Sequence, residues 1–469
     1  MKHLSSLVLL GLALSSAAGA QDRPAHAELA ITHANVVDVE SGRVLSDHTV
    51  LVRGGRIVSV APSGQGRVPR RARVVNAAGG YLIPGLWDAH AHVTFAGERA
   101  LPVYAAHGVT AVRDLGGRLP DLLALRGRVV EGALVGPALY VAGPNLEGAW
   151  WLDLVVRLAA SDSVLRSFPF LEASPRYRIA TPADARAAVD SLRRLGVDVI
   201  KFRNLRGDEF RALAAEARLR GVPLVGHAPR DVALSEAADL GMGSIEHMET
   251  VVFSLGDAPP AERSAQFAWL ARRGTAITAT LVTDVAYRQT PDSLAYAIIA
   301  DTLNLIDPRR RFLSPEMLAF WKFGLDLKKL EGPNDWAASH RRQLADLRLA
   351  NQAGVPILVG TDLGASLVYP GSSVHEEMRL LVEQGGMSPL EVLRGATLYP
   401  ARTLGLAGSV GAITVGKEAD LVLLDANPLD DIRNTQRIRG VVLDGRYLDR
   451  VTLDGLLESA ARRMQKTTP

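Results

Sequence analysis

Between about residue 83 and residue 406 the chain repeats one pattern, a short apolar run followed by an amphipathic helical stretch. Eight runs can be counted, at residues 85–90, 109–113, 138–142, 197–202, 222–226, 243–247, 276–281 and 356–360. A short apolar run bounded by turn residues reads as a strand buried on both faces. Strands that alternate with helices belong to one parallel sheet, because each helix carries the chain back to its starting edge. Eight such units close into a (β/α)8 barrel. Closure also says where chemistry can sit. The C-terminal ends of all eight strands meet at one rim, so residues far apart in sequence converge there.

The flanks follow a different period. Residues 31–37, 49–52, 56–60 and 73–76 are short alternating runs, with Gly54-Gly55 as a hairpin signal, and the β pattern returns at 419–424 and 439–443 with Asp444-Gly445 as a turn. The two sets should complete one another. The expected fold is therefore α/β: a (β/α)8 TIM barrel over 83–404, and a small split β-sandwich domain formed by both chain ends, 21–82 and 405–452, with 453–469 as a helical tail. At 469 residues the chain has length for both. Two segments, 144–180 and 282–334, exceed ordinary βα loops and should shape a substrate pocket.

Residues 1–20 read as a signal peptide. Lys2 and His3 precede an apolar run at 7–14, and Ala18-Gly19-Ala20 precedes Gln21. The mature protein is expected to be exported, periplasmic or secreted, with no stable membrane insertion after signal removal, since no later apolar stretch is long enough to span a bilayer. With no cysteine in the chain, thiolate ligands, disulfides and a cysteine nucleophile are all excluded. Any metal must be held by nitrogen and oxygen. A formal charge of +3, with arginines spread along the chain, gives no patch for nucleic acid, so the expected partner is a small-molecule substrate. A homo-oligomer stays open.

The chemistry-bearing residues fall at the ends of the runs. His90 and His92 lie two apart at the end of the first, so strand alternation points both imidazoles to one side. Lys201 ends the fourth run, His227 follows the fifth, His247 ends the sixth and Asp362 follows the eighth. Six metal-competent groups thus share one rim, and imidazole with carboxylate suits zinc or a similar divalent ion. Lys201 is the informative member. An ammonium beside metal cations is repelled and desolvated, which exposes a neutral amine able to capture carbon dioxide as a carbamate, an anionic two-oxygen ligand. The alternative is a lysine that reaches solvent or binds a substrate carboxylate.

These residues resemble the amidohydrolase superfamily, in its imidazolonepropionase-like and prolidase-like branch. The resemblance rests on Pro84-Gly85-Leu86-Trp87-Asp88-Ala89-His90-Ala91-His92, Gly226-His227, Glu246-His247, Gly360-Thr361-Asp362 and Gly416-Lys417-Glu418-Ala419-Asp420-Leu421-Val422. It implies two divalent metal ions bridged by a carbamate on Lys201, with His90, His92, Lys201 and Asp362 on one ion and Lys201, His227 and His247 on the other. A hydroxide held between such ions would be the nucleophile, and Asp362 the catalytic base that passes the proton to the leaving amine.

The expected function is a binuclear, metal-dependent hydrolase of C–N amide bonds, in dipeptides or N-acyl amino acids. Loops reset specificity on a fixed metal site, so a lactonase or esterase stays open. So does a one-metal cyclic-amide hydrolase or deaminase of the imidazolonepropionase type, although such a site needs no bridging lysine. A non-catalytic exported binding protein is the reading from another class; it has no use for this many converging charges. His375-Glu376 opens like a zincin helix, but Arg379 stands where a second histidine should fall. By the resemblance His375 is a candidate for the substrate pocket. Tyr287, Arg288 and Arg203 are candidates to meet a substrate carboxylate, against a surface role, and Trp150-Trp151 either wall the pocket or anchor a loop.

Overall fold

The computed structural model describes residues 28–164, 175–330 and 335–465, so the leader read at residues 1–20 lies outside the described residues. Strands β1 (Leu29–Asp38), β2 (Arg43–Arg53) and β3 (Arg56–Pro62) form an antiparallel meander. The β2–β3 hairpin closes on Gly54 and Gly55, with φ of 58° and 74°, the left-handed pair that a tight two-residue turn requires. β4 (Arg73–Asn76) pairs in parallel with the first half of β1, and β5 (Tyr81–Pro84) with its second half, so the sheet forks there.

The barrel follows. β6 (Leu86–Ala91), β7 (Val109–Asp114) and β8 (Ala138–Val141) form one parallel ladder. A second ladder runs through β9 (Asn145–Gly148), β11 (Ile200–Arg203), β12 (Leu224–Gly226), β13 (Met242–Glu246), β14 (Ala276–Thr278) and β15 (Ile357–Leu358), and β10 (Arg176–Ile179) pairs on the outer side of β9. β8 and β9 are two halves of one barrel strand, interrupted around Gly143, whose φ is 70°. The seams close by backbone bonds: Asp198 N donates to Val141 O at 2.9 Å, and Ala89 N to Val359 O at 2.9 Å. Eight strand positions therefore form the expected barrel. The segment read as a loop from residue 144 departs from that reading. Its first residues prolong the third strand and its last ones add β10, which satisfies the free edge created where that strand breaks.

The helices follow from local sequence. Thr181 caps Pro182–Arg194, accepting from Asp184 N, while the Asp184 carboxylate reaches back to Thr181 N. Ala185, Ala188, Val189 and Leu192 recur at helical spacing and are the buried stripe of that helix. Each buried Val or Leu of this kind contributes roughly 1.5–3 kcal/mol.

After the barrel, β16 (Leu421–Leu424) pairs antiparallel with β5, and β17 (Ile438–Leu443) and β18 (Arg446–Asp449) extend the same sheet. Both chain ends thus build one eight-stranded sheet. Ile31, Val36, Val50 and Leu82 from the first end pack with Leu421, Leu423 and Val442 from the second. The final helix, Arg450–Gln465, starts three residues earlier than the expected tail at 453 and lies against Ala100–Ala106 of the barrel. Among the described residues no helix is long and apolar enough to cross a membrane.

Candidate active site

β6 is buried along its whole length, which places His90 in the barrel interior and His92 just beyond the strand. Asp88, two residues earlier, ties this strand to the eighth. Its carboxylate accepts from Thr361 N at 2.9 Å, Thr361 Oγ1 at 2.6 Å and Tyr104 OH at 3.0 Å. Burial pushes Asp88 up to about 6 against the pull of those donors. The residue it clamps immediately precedes Asp362, so the positions of Asp362 and His90 are fixed by one side chain.

Donor atoms of His90, His92 and Asp362 all lie within 4.8 Å of one another. Asp362 Oδ1 is 3.4 Å from His90 Nε2 and 3.1 Å from His92 Nε2. Ligand atoms about 2 Å from one tetrahedral ion sit about 3.3 Å apart, so this spacing suits a shared cation. The far ring nitrogens are held as well. His90 Nδ1 lies 2.8 Å from Glu246 Oε2, and His92 Nδ1 lies 3.0 Å from the Gly116 carbonyl. Both partners are acceptors, which puts the proton on Nδ1 and leaves Nε2 with its lone pair facing Asp362.

The second half of the cluster stands beside the first. The His247 ring is 4.6 Å from His90 and 5.0 Å from His227, centre to centre, and His247 Nδ1 is 3.0 Å from Thr280 Oγ1. Burial lowers the pKa of all three imidazoles, keeping them neutral and fit to bind a metal. Lys201 lies at the bottom, 1% exposed, and its Nζ has no hydrogen-bond partner among the described residues. Burial pushes its amine down to about 7; Arg203 and Arg113 lower it further, while Glu246 and Asp362 oppose. A lone buried ammonium is costly, so this environment favours the neutral amine.

The backbone is bent to suit. His247, Thr280 and Asp362 have φ of 68°, 50° and 55°, in a region that residues other than glycine rarely adopt. Strain of about 1–3 kcal/mol per residue persists where the surroundings over-determine the conformation, and here it concentrates on two donors and the residue that orients one of them. Behind them, Arg113 is fully buried. It donates to Ala89 O, Ser244 Oγ, Glu246 Oε1 and Thr278 Oγ1. Burial drives Glu246 up, but Arg113, His90 and Lys201 outweigh it and hold this carboxylate well below its ordinary range.

All six sequence candidates, His90, His92, Lys201, His227, His247 and Asp362, line one cavity of about 200 Å³. Arg203 lines it too and also faces an adjoining lobe of about 300 Å³, bounded by Tyr287, Arg288 and Phe320. These are volumes for a small molecule rather than a polymer. Tyr287 borders this lobe, its hydroxyl donating to Gly324 O at 2.8 Å. His375 is not. It is buried elsewhere, 2.9 Å from both Thr435 Oγ1 in the turn Ile432–Gln436 and the His107 carbonyl at the end of the helix Ala100–Ala106. Its place in the substrate pocket is thereby corrected: the helix Ser372–Glu383 follows the eighth strand, but its helical phase turns His375 away from the rim. Trp150 anchors its loop, donating to Asn204 O at 2.7 Å. Sequence reading missed Arg113, Asn145, Arg176 and Phe320. A lone arginine inside the apolar run of β7 was a signal for the first; the others carry none.

Barrel, rim cavity and convergent His, Asp and Lys side chains are the arrangement of a barrel hydrolase, with a donor set that suits a divalent ion. Residues 81–448 match the Amidohydrolase family model, and the chain belongs to that family. It is 25% identical over 407 residues to the ochratoxinase of Aspergillus niger, covering 77% of this chain and 73% of that protein. It is likewise 25% identical over 423 residues to the imidazolonepropionase of Pseudomonas entomophila, covering 83% and 91%. Among solved structures, a bottromycin amidohydrolase superimposes with a TM-score of 0.69 at 25% identity, over 94% of this chain and 91% of the other. A Xaa-Pro dipeptidase with bound methionine shares the fold, with a TM-score of 0.67 at 20% identity over 90% and 100%.

Proposed function

We propose that this protein is an exported hydrolase that holds two divalent metal ions, zinc in the first place, and cleaves the amide bond of dipeptides or N-acyl amino acids. The observation that carries the proposal is Lys201: a fully buried amine without a hydrogen-bond partner among the described residues, lining the same cavity as His90, His92, His227 and His247. Carboxylated, Lys201 would share one ion with His90, His92 and Asp362 and a second with His227 and His247. Two ions so held would supply Lewis acidity toward a carbonyl and toward water. Asp362, beside His90 and His92 at the end of the eighth strand, is the group that accepts the proton of the attacking water and returns it to the leaving amine. Glu246 and Thr280 hold the rings of His90 and His247 in place while this happens.

Amide bonds are favoured over esters by the relatives' names, bottromycin amidohydrolase above all. The imidazolonepropionase relatives favour a second reading, a one-metal cyclic-amide hydrolase, in which Lys201 would have no ion to bridge. Elemental analysis of protein purified without chelator and with bicarbonate separates the two. Two ions per chain, with turnover of dipeptides or N-acyl amino acids, is the expected result; one ion and no labelled carbamate refutes the binuclear reading. Export is tested by cell fractionation, with a mature N-terminus at Gln21 expected.

A further inference from the structure

Arg203 stands at the rim with a guanidinium that makes no hydrogen bond among the described residues. Arg203 ends β11, and the chain around it is pinned. Asn204 adopts a φ of 51°, its side-chain amide donates to Glu147 Oε1 at 2.8 Å, and its carbonyl receives Trp150 Nε1 at 2.7 Å. Opposite it, a Cβ on Gly148 would fall 2.1 Å from Asn204 O, so the third and fourth strand ends meet with no room between them. The base of Arg203 is thus rigid.

Its head is not engaged. Among the described residues the Arg203 guanidinium makes no hydrogen bond, and its Nε is buried without a partner. Its one ion pair is to Glu147 Oε2 at 4.0 Å, beyond hydrogen-bond reach, and the fully buried Glu147 is shared with Arg176 at 3.5 Å. Arg176, only 5% exposed, comes from β10, which pairs with the strand carrying Glu147. Arg203 and Arg176 both line the cavity that holds His90, His227 and Lys201, together with Asn145. A guanidinium held on a fixed strand end, with its donors unspent and facing the cavity, is preorganised for a planar anion, which it can bind through two parallel N–H···O bonds.

We propose that Arg203, backed by Arg176 and Glu147, is the subsite for the substrate's carboxylate, so that the enzyme selects amides whose amino-acid part ends in a free acid. The inference takes its ligand class from the amide-hydrolase reading above. Arg203 acts here by binding the substrate's far end; Glu147 is a positioning residue that keeps the guanidinium at the rim.

The test is a matched pair of probes, N-acetyl-L-phenylalanine and its C-terminal amide, titrated calorimetrically into the zinc-loaded wild type, Arg203→Met and Arg203→Lys proteins. The acid should bind the wild type roughly tenfold or more tightly than the amide. That preference should vanish in Arg203→Met and persist in part in Arg203→Lys, with melting temperatures unchanged. A wild type that binds both probes alike, or neither, overturns the proposal. So does an acid preference that survives in Arg203→Met, because the carboxylate then sits on the metals. Amide turnover is scored separately. A wild type that discriminates through Arg203 yet hydrolyses no amide sinks the hydrolase reading and leaves the anion subsite; one that hydrolyses free acids and amides equally does the reverse.

Discussion

Replacing Arg113 by methionine should destabilise the barrel more than almost any other single change, although the residue touches no substrate. Its guanidinium is completely buried and donates to four acceptors, one of them Glu246 Oε1 at 2.9 Å. Methionine fills most of the volume but leaves Glu246 a buried carboxylate, with Ser244 at 2.5 Å and His90 at 2.8 Å as its remaining donors. Breaking one partner of such a pair costs about 3–5 kcal/mol. Glu246→Gln should cost a similar amount by stranding the arginine. The double variant leaves no lone charge, so it should lose no more than either single one, a coupling of about 3 kcal/mol. Urea unfolding followed by tryptophan fluorescence reads all three. Single losses under about 1 kcal/mol, or a double loss equal to their sum, would show that the pair is not the support described here. Metal affinity gives a second readout. Glu246→Ala removes the acceptor of His90 Nδ1 and should weaken binding on the order of 10- to 100-fold, while Glu246→Gln, which keeps a carbonyl there, should weaken it less.

Three further outcomes are expected. Lys201→Ala should lose most activity and bound metal, with partial rescue by a short-chain carboxylic acid; wild-type activity without rescue sinks the carbamate. In metal-free protein at fixed dissolved carbon dioxide, the carbamate signal from ¹³C-labelled carbon dioxide should rise as pH rises through about 7, because the depressed Lys201 amine loses its proton there; a rise only near the ordinary lysine range would contradict the burial effect. His375→Ala should cost about 1–3 kcal/mol in urea unfolding, having unpaired Thr435 and the His107 carbonyl, with kcat/KM per folded molecule unchanged; a selective rise in KM would return His375 to the substrate pocket.

The barrel was legible in sequence because its strands are buried on both faces and so appear as uninterrupted apolar runs between helices. That six polar residues gather at one cavity was legible for a related reason: a polar residue at the end of such a run has one place to go, the rim. What escaped is what local sequence does not encode. β10 is four residues long, Arg-Tyr-Arg-Ile, and becomes a strand only because the third barrel strand breaks and leaves an edge for it. Arg176 reaches the cavity through that pairing alone. His375 failed for the opposite reason. Its place in sequence, just past the eighth strand, was right, but helical phase decides which way a side chain points, and one residue shifts that by about 100°.

These failures divide along a physical line. Groups proposed for the chemistry stand at the ends of buried strands and are fixed by buried partners: Asp88 on Thr361, Arg113 and Glu246 on His90, Thr280 on His247. A substitution there changes stability and metal binding together, which ties these positions to the fold itself. Arg203 stands on the same rigid rim, but its counterparts Arg176, Tyr287 and Phe320 come from the long third and seventh connections. Those segments lie outside the eight barrel strands, although Met317, Trp321 and Leu325 pack into the main core, so they are where one hydrolytic centre is fitted to one substrate. Exchanging 282–334 should therefore alter which amide is cleaved while leaving metal content intact, and a loss of metal on that exchange would show that the loop helps to build the centre it covers.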